Sequence, residues 1–240
     1  MAFSNSTYQM PPWLRPAAQR LSPTIRTLVV ALGVPWLFYV LVKPARGLVD
    51  DYFVLGQGVM RGQVWQIVTA LFVDRNPLAF LNLIGLWFVG AAIERTLGRR
   101  RFLIVFFVPG LAANLVIALV SSWWGPWALY SGCGDSVLGL FVGLAVLYGP
   151  AQVRVIGSLA MPARALAAIF VGLALVGSAT YGAWPAVFGT LVAVGLAYRL
   201  CGGRGQDLRD VTSWLQRKIG QRRWRVMDGG KQPKRPDRFN

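Results

Sequence analysis

Phe102 to Val120 reads FLIVFFVPGLAANLVIALV, nineteen residues without a charge, closed on its N-terminal side by Arg99, Arg100 and Arg101. At 1.5 Å per helical residue such a run covers about 28 Å, close to the ~30 Å hydrocarbon core of a bilayer. An ordinary soluble core helix has no need of it. Outward from this stretch, further apolar runs lie near 27–42, 76–93, 136–153, 165–181 and 183–198, the last two separated by Gly182 and Pro185. The pattern predicts an all-α integral membrane protein, a bundle of six transmembrane helices.

The basic residues support this and orient the chain. Of 25 Lys and Arg, the N-terminal segment holds Arg15, Arg20 and Arg26, the second gap Arg95, Arg99, Arg100 and Arg101, the fourth Arg154 and Arg164, and the tail from Arg199 onward twelve. The first gap has Lys43, Arg46, Arg61 and Arg75 diluted by Asp50, Asp51 and Asp74, and the third and fifth gaps have none. Lys and Arg near span ends stay on the cytoplasmic side, so both termini are expected inside, which requires an even number of spans.

Composition agrees: 55% of the 240 residues are hydrophobic and only 14% charged. A net charge of +16 would raise the question of nucleic acid in a soluble protein. Here it is topogenic or in the tail, so anionic lipid is the expected partner and nucleic acid is not. Cys133 and Cys201 fall at opposite ends of the predicted topology, which excludes a disulfide between them, and their spacing suits no metal; no cofactor is expected.

Three regions follow: a cytoplasmic segment 1–26, a membrane domain 27–200 and a basic cytoplasmic tail 201–240. The first run is not followed by a small-residue cleavage pattern, so it reads as a retained span. The lack of acids before Asp50 is also transit-peptide composition, leaving an organelle membrane as the alternative to a bacterial cytoplasmic (inner) membrane. In the tail, Leu208, Val211, Leu215 and Ile219 recur at helical spacing among Arg209, Arg217, Lys218, Arg222 and Arg223. That is an amphipathic helix over about 206–226, suited to an anionic surface or to packing on the membrane domain, with a disordered end from Gly229. The long first gap, 43–75, is expected to dip into the interface through Trp65, Ile67, Leu71 and Phe72.

Several stretches resemble the rhomboid family of intramembrane serine proteases: Trp65-Gln66-Ile67-Val68-Thr69, Phe80-Leu81-Asn82, Leu86-Trp87-Phe88-Val89-Gly90 and Ile93-Glu94-Arg95-Thr96-Leu97-Gly98-Arg99. Gly125-Pro126-Trp127 and Gly132-Cys133-Gly134-Asp135-Ser136-Val137-Leu138-Gly139-Leu140 continue it. The resemblance runs from about 62 to 195 and implies a rhomboid-like bundle. A rhomboid protease carries Ser in a Gly-x-Ser-Gly stretch opening the fourth span, a His on the sixth, and a His-x-x-x-Asn on the second. Matched to that pattern, the Ser position is Gly134, the following Gly is Asp135 and the sixth-span His falls at Gly182, beside Tyr181. The Asn is kept as Asn82, but Leu78 stands for its His, and Asp74 stands where a loop His is common.

The chain contains no histidine at all. A Ser hydroxyl needs a base titrating near neutrality, the lysines all lie outside the spans, and Arg stays protonated. The catalytic set is therefore expected to be empty. Asn82, Leu78, Gly132, Cys133, Asp135, Ser136 and Tyr181 are left as a vestigial site for binding transmembrane segments of client proteins, with Asp135 either capping the fourth helix or meeting a ligand. The alternative is an intramembrane peptidase using Ser131, Cys133 or Ser136. A small transporter has only Asp135 and Asn82 for a polar path.

The Gly139-x-x-x-Gly143 pair predicts close packing of helices within the chain, with dimerisation as the alternative. The resemblance implies Gly189 of the sixth span against this face, with Pro185 in place of a small residue loosening the fit. Glu94, Arg95 and Arg99 read as an interfacial charge cluster.

Overall fold

The computed structural model describes residues 22–124, 128–156 and 159–202. The N-terminal segment before Ser22 and the predicted tail helix with its disordered end lie outside the described residues.

Six apolar helical segments follow the six runs. The first is α1 (Pro23–Leu41), opened by Ser22, whose hydroxyl accepts from the Ile25 N–H, with Pro23 pre-set for a first turn. Two short helices, α2 (Arg46–Tyr52) and α3 (Gln66–Thr69), lie in the long first gap. The second apolar segment joins α4 (Phe80–Gly85), a π-helical stretch (Leu86–Gly90) and α5 (Ala91–Leu97). The remaining helices are α6 (Arg99–Trp124), α7 (Gly134–Tyr148), α8 (Ala163–Thr180) and α9 (Trp184–Leu200).

Four helices are long and apolar enough to cross a membrane: Pro23–Leu41, Pro77–Leu97, Arg99–Trp123 and Ala163–Thr180. Gly134–Tyr148 and Trp184–Leu200 are apolar but shorter. The fourth run was expected to reach residue 153, yet α7 stops at Tyr148. Gly149 takes a φ of 53° and Pro150 has no N–H to continue the ladder.

The all-α expectation needs a second correction at the same place. Strands β1 (Gln152–Ile156) and β2 (Leu159–Pro162) pair antiparallel, Gln152 opposite Pro162 and Val153 opposite Met161. Val153 and Val155 alternate with polar residues in the first strand, a period of two that a hydropathy run conceals.

α7 stands at the centre. Eight of its residues are buried, Ser136 and Val137 and then Gly139 to Leu144. Around Val137, Leu140, Phe141 and Leu144 the core gathers Ile25, Leu28 and Leu32 of α1, Leu86 and Ile93, Phe102 and Phe106 of α6, and Leu166 of α8. Glycines let the helices close in: a Cβ on Gly85 would come 3.0 Å from Val137, and one on Gly139 would touch Pro109 at 3.3 Å and Ala197 at 3.4 Å. The loose fit expected between the fourth and sixth spans is therefore not found. Gly189, expected on the α7 glycines, instead meets Ile117 and Ala113 of α6, while Ala197 and Cys201 lie on Gly139 and Gly143.

The first gap folds onto the helices. Gln66 is its hidden pin: 1% exposed, it donates to Gln63 Oε1 and the Asp51 carbonyl and accepts from the Gly56 N–H. Leu55 pairs with Tyr130 as an isolated bridge, and Asn114 of α6 donates to the Ile67 carbonyl at 2.9 Å. The interfacial anchors differ from expectation. Leu71 is buried, and Ile67 and Phe72 pack on the core clusters, so the outward apolar face is Met60, Val64, Trp65 and Val68.

Candidate functional site

The segment from Ala70 to Arg75 carries the chain from α3 to α4 and runs beside the approach to α7. The Gly132 N–H donates to the Ala70 carbonyl at 2.8 Å, and the Arg75 N–H donates to Ser131 Oγ at 3.2 Å. Two orphan donors are thus satisfied and the turn before α7 is fixed.

Asp74 and Asn82 form the polar heart of this corner. Asn82 Nδ2 donates to Asp74 Oδ2 at 3.3 Å, and the Asn76 N–H donates to Asp74 Oδ1 at 3.0 Å. Gly132 lies directly against the carboxylate: its φ is 105°, and a Cβ there would overlap Asp74 Oδ2. Only glycine suits that position on both counts. Burial pushes the Asp74 carboxyl above its ordinary range, opposed by the hydrogen bonds from Asn76 and Asn82.

Gly134, at the matched Ser position, opens α7 within reach of the same corner. A Cβ there would meet only Asn82 Nδ2, at 3.9 Å, so a side chain has room. A Cβ at Gly182 meets nothing within 4 Å; that residue sits in the turn between α8 and α9 with φ 68°. The α9 residue that meets the first turn of α7 is Thr190, whose hydroxyl donates to Asp135 Oδ1 at 2.7 Å. Ala186 and Val187 precede it by about one turn on the same face.

Asp135 therefore bridges two helices. Cys133 holds the N-cap position of α7, with no side-chain capping bond. Thr190 was not singled out from sequence, although a lone hydroxyl after Gly189 in an apolar run was its visible signal.

The possible nucleophiles lie apart. Ser136 is fully buried, its Oγ has no hydrogen-bond partner among the described residues, and it packs so closely on α6 that a Cβ on Gly110 would overlap it. Cys133 faces a hollow shared with Leu32, Trp36, Leu71 and Leu83, and burial, with Asp74 adding, pushes its thiol up to about 12. Such a thiol is not the thiolate that nucleophilic attack requires. Ser131 Oγ is engaged by the Arg75 N–H. Leu78 and Tyr181, 58% and 89% exposed, stand outside the corner. Both cysteines are free.

Below the corner, Arg75 Nε lies 3.0 Å from Asp50 Oδ1 while its N–H is directed to the Tyr39 hydroxyl, and Tyr39 donates to Asp50 Oδ2. The pair is held by charge more than by an aligned hydrogen bond, because Asp50 Oδ1 has no hydrogen-bond partner. This network ties the end of α1 and α2 to the site loop. At the other end of the bundle, the Ser22 hydroxyl donates to Glu94 Oε2, so Glu94 links α1 to α5.

Comparison with known proteins gives the family. Residues 61–203, more than half the chain, match the rhomboid domain. Rhomboid-like protease 3 of Toxoplasma gondii is 31% identical over 84 residues, 35% of this chain and 30% of that protein. The putative rhomboid protease YdcA of Bacillus subtilis is 30% identical over 100 residues, 40% of this chain and 49% of the relative. Rhomboid protease GluP of the same species is 27% identical over 146 residues, 58% of this chain and 28% of that one. The matches thus cover about half or less of each relative's length. With apolar helices of membrane-spanning length and a rhomboid domain over most of the bundle, the chain is an integral membrane protein that belongs to the rhomboid family.

Proposed function

We propose that this chain is a proteolytically inactive rhomboid-family protein that binds transmembrane segments of client membrane proteins. One observation carries the reading: the chain has no histidine, and the first residue of α7, at the matched nucleophile position, is glycine. Without a base near neutral pKa there is nothing to activate a hydroxyl. The former acyl-transfer corner is occupied by hydrogen-bonded polar groups, Asn82 on Asp74 and Thr190 on Asp135.

A client would enter beside α8. Its buried residues are Ala163, Leu166 and Ala167 alone, and its later turns expose Ile169, Leu173 and Val176, while α4 and the π stretch expose Leu81, Ile84, Trp87 and Phe88. Those faces suit an apolar helix. Six spans with both termini cytoplasmic, in a bacterial cytoplasmic membrane with the basic tail on anionic lipid, complete the proposal. The short α7 serves as a span because neighbouring helices surround it, and the short α9 because it packs one face on α6 and α7.

The relatives are named as proteases, which favours a second reading: a peptidase using Ser131, Cys133 or Ser136. The burial of Ser136, the protonated Cys133 thiol and the bond to Ser131 weigh against it.

Purified protein incubated with a generic rhomboid substrate and a fluorophosphonate probe separates the two. Silence in both, with client cross-links from photoreactive residues at Asn82 and Leu173, is the expected result. Cleavage abolished by Ser136→Ala or Cys133→Ala would overturn it. Proteolysis gained by Gly134→Ser combined with His at Ala186 or at Gly182 would show that the groove still accepts a substrate.

A further inference from the structure

The corner between α5 and α6 breaks a rule of helix chemistry. Arg99, Arg100 and Arg101 fill the first turn of α6, which has no acidic residue, and all three are exposed. A helix N-terminus carries partial positive charge, so cations there oppose the dipole and anions are welcome. Among the described residues, no hydrogen bond or ion pair engages the three guanidinium groups. Glu94, the acid nearest in sequence, accepts the Ser22 hydroxyl.

Depth fixes what can answer this charge. The corner joins Pro77–Leu97 to Arg99–Trp123, two helices long enough to cross the membrane, with the next apolar residue, Phe102, fully buried. A corner between two helices of membrane-crossing length falls where the hydrocarbon would end, so three planar donors would stand at the level of phosphodiester groups, each able to bind a phosphate oxygen pair. Retention of positive charge on the cytoplasmic side accounts for basic residues near this loop. Three consecutive arginines without a partner among the described residues also offer a dense set of donors to an anion.

We propose that Arg99, Arg100 and Arg101 form a headgroup site for an anionic phospholipid of the adjacent leaflet, fastening the α5–α6 corner at a set depth. The site is separate from the client corner and stands whether or not the chain binds clients.

The full chain is reconstituted into phosphatidylcholine vesicles containing a minor fraction of photoreactive phosphatidylglycerol, irradiated and digested, and the labelled peptides are mapped. Labelling within residues 95–106 is expected, competed by unlabelled phosphatidylglycerol and not by phosphatidylcholine. Replacing all three arginines by Gln should cut that labelling about fivefold or more while tail labelling persists. Should the triple variant fail to insert, each single Arg→Gln variant keeps enough positive charge to insert and should lower the labelling about twofold. Labelling of this peptide that is equal with photoreactive phosphatidylcholine, or unchanged in every variant, would show that the arginines only set topology and would overturn the proposal.

Discussion

α7 and α8 are both apolar from end to end, and a hydropathy profile treats them alike, yet one is the post of the bundle and the other hangs on its side. α7 buries eight residues among α4, the π-helical stretch, α5, α6, α8 and α9, whereas the buried residues of α8 are confined to Ala163, Leu166 and Ala167 near its start. Phe170 of α8 stacks on Phe141 of α7 at a centroid distance of 4.4 Å. In a membrane protein hydropathy reports only that a helix avoids water, since lipid and protein interiors are equally apolar. Small residues report packing: α7 has Gly139 and Gly143 in tight contacts, while a Cβ on Gly172 or Gly177 of α8 would meet nothing.

The most damaging change should fall where α7 is tightest. Gly110→Val places a branched side chain on Ser136 Oγ and on Leu71 Cδ1, 2.6 Å from the new Cβ, and both neighbours are buried. Overpacking of this kind costs about 3 kcal/mol. A thermal midpoint in detergent that is unchanged from wild type would mean that the α6–α7 seam is looser than described.

Next is the turn that delivers the chain to α7. Gly132→Ala meets both a left-handed backbone and the Asp74 carboxylate, and should lose about 2 kcal/mol. Moving Asp74 aside should also release Asn82. The loss should therefore shrink in a Gly132→Ala, Asp74→Ala double variant, a coupling that a double-mutant cycle measures.

How much of this could be read beforehand differs between the two regions as well. Spans were legible because uncharged length has one physical meaning. The motif from Gly132 to Leu140 pointed to the start of α7, and Asn82, expected near that segment, has its Nδ2 3.9 Å from where a Cβ on Gly134 would stand. The partner of Asp135 was not legible: Thr190 lies 55 residues away, and nothing local says which hydroxyl of a later helix faces a given carboxylate. The β1–β2 pair was missed because Val153, following a long apolar run, looks like the end of the preceding helix. Gln66 entered the sequence reading only as part of the Trp65–Thr69 stretch, because nothing local shows the three hydrogen bonds that its buried side chain makes.

A smaller effect sharpens the contrast at the head of α7. Because burial raises the Asp74 carboxyl, the folded protein holds that proton more tightly than the unfolded chain, so its contribution to stability is fullest below about pH 4 and declines as pH rises through the raised value. Asp74→Asn removes this titration. The midpoint of wild type should fall relative to the variant between acid and neutral pH. Parallel pH profiles would mean that Asp74 titrates normally and that the corner is open to water.

The smallest effect is expected on α8. Leu173 is 70% exposed, so Leu173→Ala leaves no internal cavity and trades one lipid-facing surface for a smaller one. The change in stability should stay within about 0.5 kcal/mol. Because the same face is where a client helix is proposed to lie, cross-linking of clients should drop while the midpoint holds. A large loss of stability instead would mean that a second copy of the chain or a tightly held partner already covers α8, making it as buried in the membrane as α7 is within the chain.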